Sequence, residues 1–196
     1  MNESDKSNYL SQIQTDVGLL SFMTAVTIFI NGLLLTQFDS YSVLIKVPIA
    51  FLIVSMLGFL FSSLIIANTS QNVIDNKVSK SKKHTLYGYA ISEYIGVYLF
   101  VLSIPLAVNV VTADLYLRVI TIVGTVLGLL VYQFMGFSLI ERHFPETYKI
   151  FSGLIMFFGL VLYISQLKNF YFIECSIVFL AFILIVTILA PREDFK

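Results

Sequence analysis

Long stretches of this chain contain no Asp, Glu, Lys or Arg, and the lengths of those stretches cluster. The intervals between Asp16 and Asp39, Lys46 and Asp75, and Glu93 and Asp114 hold 22, 28 and 20 uncharged residues. Those between Arg118 and Glu141, Lys149 and Lys168, and Glu174 and Arg192 hold 22, 18 and 17. A hydrocarbon layer of about 30 Å is crossed by about 20 residues of helix. The pattern therefore predicts six transmembrane helices, near 18–37, 44–67, 87–111, 116–140, 147–166 and 170–190. Runs such as Ile177 to Ile185 are apolar without alternation, unlike the lipid-apolar, lumen-polar rhythm of barrel strands. With no water to bond in lipid, such a run satisfies its backbone as a helix. The expected fold class is all-α, a polytopic integral membrane protein built as a six-transmembrane-helix bundle. A segment 1–17 precedes the bundle and a tail 191–196 follows it.

Composition agrees and narrows the function classes. Of 196 residues, 58% are hydrophobic and only 12% charged, against about 45–50% and about 25% in soluble domains. The mean hydropathy is +0.89. Twelve Lys and Arg balance twelve Asp and Glu, so no basic field for nucleic acid exists. Eighteen Phe and eleven Tyr are foreign to a disordered chain. The single cysteine, Cys175, allows no intrachain disulfide and no thiolate cluster.

The distribution of basic residues predicts an orientation. Nine of the twelve fall on one face of the predicted bundle: Lys6, Lys77, Lys80, Lys82, Lys83, Arg142, Lys149, Arg192 and Lys196. Lys46, Arg118 and Lys168 fall on the other. Positive charge is retained on the cytoplasmic side, so both termini are expected in the cytoplasm and the protein in the cell membrane. The acidic start, Met1 to Asp5, is not the basic leader of a cleaved signal. Tyr9, Leu10, Ile13 and Val17 share one helical face, which predicts a short interfacial helix over 8–17. Without Trp, the aromatic belt falls to Tyr41, Tyr116 and Tyr171 at outer ends, and Tyr87, Tyr89 and Tyr148 at inner ends.

Polar groups inside the spans are the functional candidates, because lipid makes them expensive. Glu93 leads. If the third helix begins near Tyr87, Glu93 lies about 9 Å along it, where its charged form is costly and a proton or cation would neutralise it. If the helix instead begins at Glu93, the residue sits at the interface beside the Lys-rich loop. Asn31 and Gln133 are the other candidates for ion or proton coupling, with helix packing as their plainer role. Glu174 is expected at the outer boundary. Pro105 lies inside the third helix, frees a carbonyl and should bend it.

Small residues predict where helices pack. Gly124 and Gly128 form a G-x-x-x-G pair continued by Gly136, Ser55, Gly58 and Ser62 line the second helix, and Ser92, Gly96, Ser103 and Ala107 line the third. Such ridges permit close approach within a bundle or between protomers. Gly32 to Phe38 and Gly128 to Phe134 match at five of seven positions, which would fit two inverted three-helix halves.

The chain has no metalloprotease, nucleophile-elbow or phosphate-loop motif, so no enzymatic activity, metal or cofactor is expected. Glu141, His143 and Glu146 read as a polar loop leading into a Pro145-started helix. Two functions remain. One is a small transporter or channel for an ion or small solute, with Glu93 as coupling residue. The other is a non-catalytic accessory or scaffolding subunit that binds a membrane partner, or its own copy, through its helix faces. The lipid bilayer is the partner common to both.

Overall fold

In a computed structural model of the chain, backbone is described for residues 3–74, 78–134 and 145–189, and side chains for 7–70, 84–133 and 150–189. These residues form seven α-helices, one π segment and two short 3-10 turns, Phe38–Ser40 and Val43–Ile45, with no strand among them: α1 Glu3–Thr36, α2 Lys46–Ile74, α3 Val78–Ala90, a π turn over Ile91–Val97, α4 Tyr98–Val111, α5 Leu115–Phe134, α6 Pro145–Lys168 and α7 Phe172–Leu189. The elements α3, π and α4 run on as one helix. Six stretches are long and apolar enough to cross a membrane: Ser7–Thr36, Val43–Ser70, His84–Val111, Leu115–Gln133, Ile150–Lys168 and Phe172–Leu189.

The first of these differs from expectation. No Pro or Gly interrupts residues 3–17, so the segment 8–17 is not a separate interfacial helix; it forms the opening turns of α1. Thr24 and Thr27 return their hydroxyls to the carbonyls of Leu20 and Met23, at 2.8 and 2.7 Å. The helix thereby satisfies its own polar side chains where lipid offers no partner.

At the centre of the bundle α2 lies against α3, the π turn and α4. Phe51, Phe59, Tyr94, Tyr98, Leu99 and Ile155 are fully buried there. The contact is close because small residues meet. A Cβ on Gly58 would come within 2.7 Å of Ile95, and one on Gly96 within 2.5 Å of the Phe59 ring. Ser62 Oγ donates to the Gly88 carbonyl at 2.6 Å, and Ser55 Oγ to the Gly96 carbonyl at 2.7 Å. One bond lies just before the π turn and the other within it, and the turn's i→i+5 bonding departs from the α ladder on either side. Pro105 leaves α4 continuous to Val111.

The outer helices pack unevenly. Helix α1 lies along α2, α6 contacts α4 and α7, and α7 reaches the π turn. Helix α5 packs on α4 and buries only 11% of its most apolar window, the least of the six. The halves of the chain thus differ: α1 and α2 share the most extensive contact, whereas their counterparts α5 and α6 share no comparable one. The match between Gly32–Phe38 and Gly128–Phe134 has no parallel in how those helices pack.

At the end of the bundle where α4 meets α5, Asp114 Oδ1 caps α5 through the Leu117 N–H at 2.9 Å, a standard N-cap bond. Arg118 turns back to the last carbonyls of α4, bonding Thr112 O at 2.7 Å and Asn109 O at 2.9 Å. A cation there complements the negative end of the helix dipole.

Candidate functional site

Glu93 occupies the third position of the π turn and is fully buried, with 0% of its surface exposed. It lies nine residues beyond His84 and eighteen before Val111, the ends of the third apolar stretch. At 1.5 Å per residue those separations are about 13 and about 27 Å. The helix begins well before Glu93, so the residue is inside the bundle and not at its rim.

Its carboxylate is met from α5. The Tyr132 hydroxyl donates to Glu93 Oε2 at 2.6 Å, and the next residue, Gln133, donates from Nε2 to the Tyr98 hydroxyl at 3.0 Å. The Tyr98 ring stacks on that of Tyr94, with centroids 6.2 Å apart. Tyr94 is buried, and its hydroxyl has no hydrogen-bond partner among the described residues. The π turn is where α4 departs from the regular α repeat, and π turns of this kind concentrate at functional positions.

A second carboxylate is paired in the same way one turn earlier. Tyr89 Oη donates to Asp16 Oδ2 at 2.7 Å, and Tyr9 shares a hydrogen bond of 3.1 Å with Thr85. Positions 85, 89, 93 and 98 therefore each bond a polar side chain of another helix, first on α1 and then on α5. This polar series climbs from the end of the bundle that holds the start of α1. Beyond Tyr98 the interior is largely apolar, through Leu99, Leu102, Leu106 and Leu129, with Ser103 returning its hydroxyl to the Phe100 carbonyl. Polarity returns where Gln166 bonds the Leu106 carbonyl at 2.9 Å and Asn109 at 3.1 Å.

Of the coupling candidates, the structure brings Glu93 and Gln133 together and leaves Asn31 apart. Asn31 lies fifteen residues beyond Asp16 on α1, about 22 Å along the helix, while Glu93 is one turn beyond Tyr89. Asn31 is buried and neither polar atom of its side chain has a partner among the described residues. Ser92 returns its hydroxyl to the Tyr89 carbonyl at 2.9 Å, and Gly96 sits against Phe59 as described. Glu174 is exposed in the first turn of α7.

The glycines of α5 behave differently from those of α2 and the π turn. A Cβ on Gly124 or Gly128 would meet nothing within 4 Å, so no helix among the described residues packs there. The two line an open groove of about 420 Å³ between α4 and α5, together with Val101, Ile104, Ile120 and Tyr132. The continuing Gly136, the basic side chains at 77–83, and Glu141, His143 and the Glu146 side chain lie outside the described residues. Among the described residues no three His, Cys, Asp or Glu side chains are grouped to hold a metal ion.

Asp16, Tyr89 and Tyr132 carry the network and are not among the functional candidates that the sequence offers. Asp16 marks the edge of an apolar interval and so reads as a boundary residue. Tyr89 is not a belt residue: it is 2% exposed and turned inward to Asp16. The usable signal was the series Thr85, Tyr89 and Glu93, polar positions four apart on one helix.

No protein-family model, curated protein or solved structure matches the chain. The described geometry defines an all-α bundle with six helices able to cross a membrane and a carboxylate buried at a π turn.

Proposed function

We propose that this protein is a small multi-pass membrane transporter or channel for an ion or small solute, with both termini cytoplasmic and Glu93 as its coupling residue. One observation carries the reading: a fully buried carboxylate sits in a π turn with a tyrosine of a different helix as its donor. An ionisable side chain so placed is expensive and is kept where it exchanges a proton or binds a cation. The stepped polar pairs at 85, 89 and 93 support an approach to Glu93 from the cytoplasmic end. The apolar layer beyond Tyr98 fits a path closed toward the other side.

The accessory-subunit reading draws on a separate observation, the open glycine face of α5, which is free to accept a helix of another chain. Proteoliposomes carrying an entrapped pH-sensitive dye separate the two. Gradients of H⁺, Na⁺ and K⁺, applied in turn, should produce a dye response with the wild-type protein that Glu93→Gln abolishes. The absence of any response from folded wild-type protein, both to these gradients and to an added gradient of a lipophilic organic cation, favours the accessory reading.

A further inference from the structure

The groove between α4 and α5 lies within the span and opens sideways. Its α5 wall runs from Ile120 to Tyr132, about 18 Å at 1.5 Å per residue, and its lining is mostly apolar, with Thr121, Thr125 and Tyr132 as its hydroxyl-bearing residues. Gly124 and Gly128 are exposed on it, and Ile120 and Ile104 are 49% and 38% exposed. In a bilayer this opening faces hydrocarbon. Whatever enters must partition into lipid first, which hydrated inorganic ions do not.

Tyr132 ties this groove to the buried charge. It lines the groove, and its hydroxyl donates to Glu93 Oε2 at 2.6 Å. One tyrosine side chain therefore separates an apolar cleft from a carboxylate. A volume of about 420 Å³ falls within the range of pockets for small organic ligands, about 300–1,000 Å³. The missing Cβ atoms of Gly124 and Gly128 supply part of that room.

We infer that the α4–α5 groove is a lateral binding site for a lipophilic organic monocation, whose charged centre is neutralised by Glu93 when Tyr132 swings aside. This rests on the transporter reading above and names the substrate class for it. The apolar body of the ligand matches the groove wall, and one carboxylate matches one positive charge. A cation in a desolvated site gains strongly from a buried counter-charge, and loses it when that charge is removed. Aromatic faces of the kind that Tyr132 presents add a further attraction for cations.

The test is equilibrium binding to the full-length protein in detergent. The probes are tetraphenylphosphonium and its near-isosteric anion tetraphenylborate. Tetraphenylphosphonium should bind saturably and tetraphenylborate should not. Glu93→Gln should weaken the cation by about tenfold or more. Gly128→Leu should weaken it similarly by filling the groove, where open space leaves the fold intact. Tyr132→Phe should keep or tighten binding, because the competing hydroxyl is gone. Equal binding of the two probes would mean that the groove takes only apolar matter such as acyl chains, and the proposal falls. It falls too if Glu93→Gln binds the cation as wild type does. A wild type that passes ions in proteoliposomes but binds no tetraphenylphosphonium would reject the substrate class while leaving the coupling role of Glu93 standing.

Discussion

The Tyr132 hydroxyl and the Glu93 carboxylate meet at 2.6 Å across the contact between α5 and the π turn, with Glu93 wholly shielded from the surface. The pair couples the least buried of the six apolar helices to the most enclosed acidic group among the described residues. Their coupling is measurable by a double-mutant cycle on thermal unfolding in detergent, using Glu93→Gln and Tyr132→Phe. Residues sharing one buried bond show interaction energies of about 0.5–3 kcal/mol. Strict additivity of the two substitutions would show that the bond contributes nothing.

Glycines that look alike in sequence should respond oppositely to substitution. Gly96→Ala places a Cβ 2.5 Å from the Phe59 ring, and overpacking of this kind costs about 1–3 kcal/mol. Gly128→Ala meets open space and should leave the melting temperature unchanged or slightly raised, since Ala is the better helix former. A larger loss at Gly128 than at Gly96 would show that the α5 face is covered in the assembled protein.

Asn31 offers a gain of stability. Both polar atoms of its buried side chain lack partners among the described residues, and an unmet buried group costs about 1–3 kcal/mol. Asn31→Leu should raise the melting temperature. A clear fall would mean that Asn31 bonds a group outside this chain.

Asp16 should behave as a structural and polar partner of Tyr89. Asp16→Ala leaves the Tyr89 hydroxyl buried without its acceptor and should destabilise the fold by about 1–3 kcal/mol. Asp16→Asn keeps an acceptor oxygen and should be milder. Equal effects of the two substitutions would remove the hydrogen bond as the cause.

The orientation is open to cysteine labelling in a Cys175→Ser background. Single cysteines near Asp39, Asp114 and Asn169 should react with an impermeant reagent in intact cells, and one at Lys80 should not, as the nine-to-three division of basic residues requires. Labelling at Lys80 would invert the topology.

The spans were legible in the sequence because hydrocarbon thickness imposes one length on every uncharged interval. Glu93 was legible as a candidate for the same reason, being a charge inside a stretch that lipid penalises. Its partner was not. Tyr132 meets Glu93 from another helix, 39 residues further along the chain, a pairing that no spacing along one helix reveals, and nothing in Ile91–Val97 announces the π turn beyond the small Gly96. Asp16 was hidden by its place at the edge of an interval, where a solvated carboxylate and a buried one look the same. The G-x-x-x-G spacing of α5 marks a face that permits close approach, but spacing alone does not say whether another helix uses it.

The central claim is that Glu93 changes its proton or cation occupancy as the protein works. Infrared difference spectroscopy on protein in lipid, across a pH step and on addition of tetraphenylphosphonium, reads that change at the carboxyl stretch. The account predicts a carboxyl band that responds to both perturbations, shifts in Tyr132→Phe and is missing in Glu93→Gln. A difference spectrum identical in wild type and Glu93→Gln would contradict it.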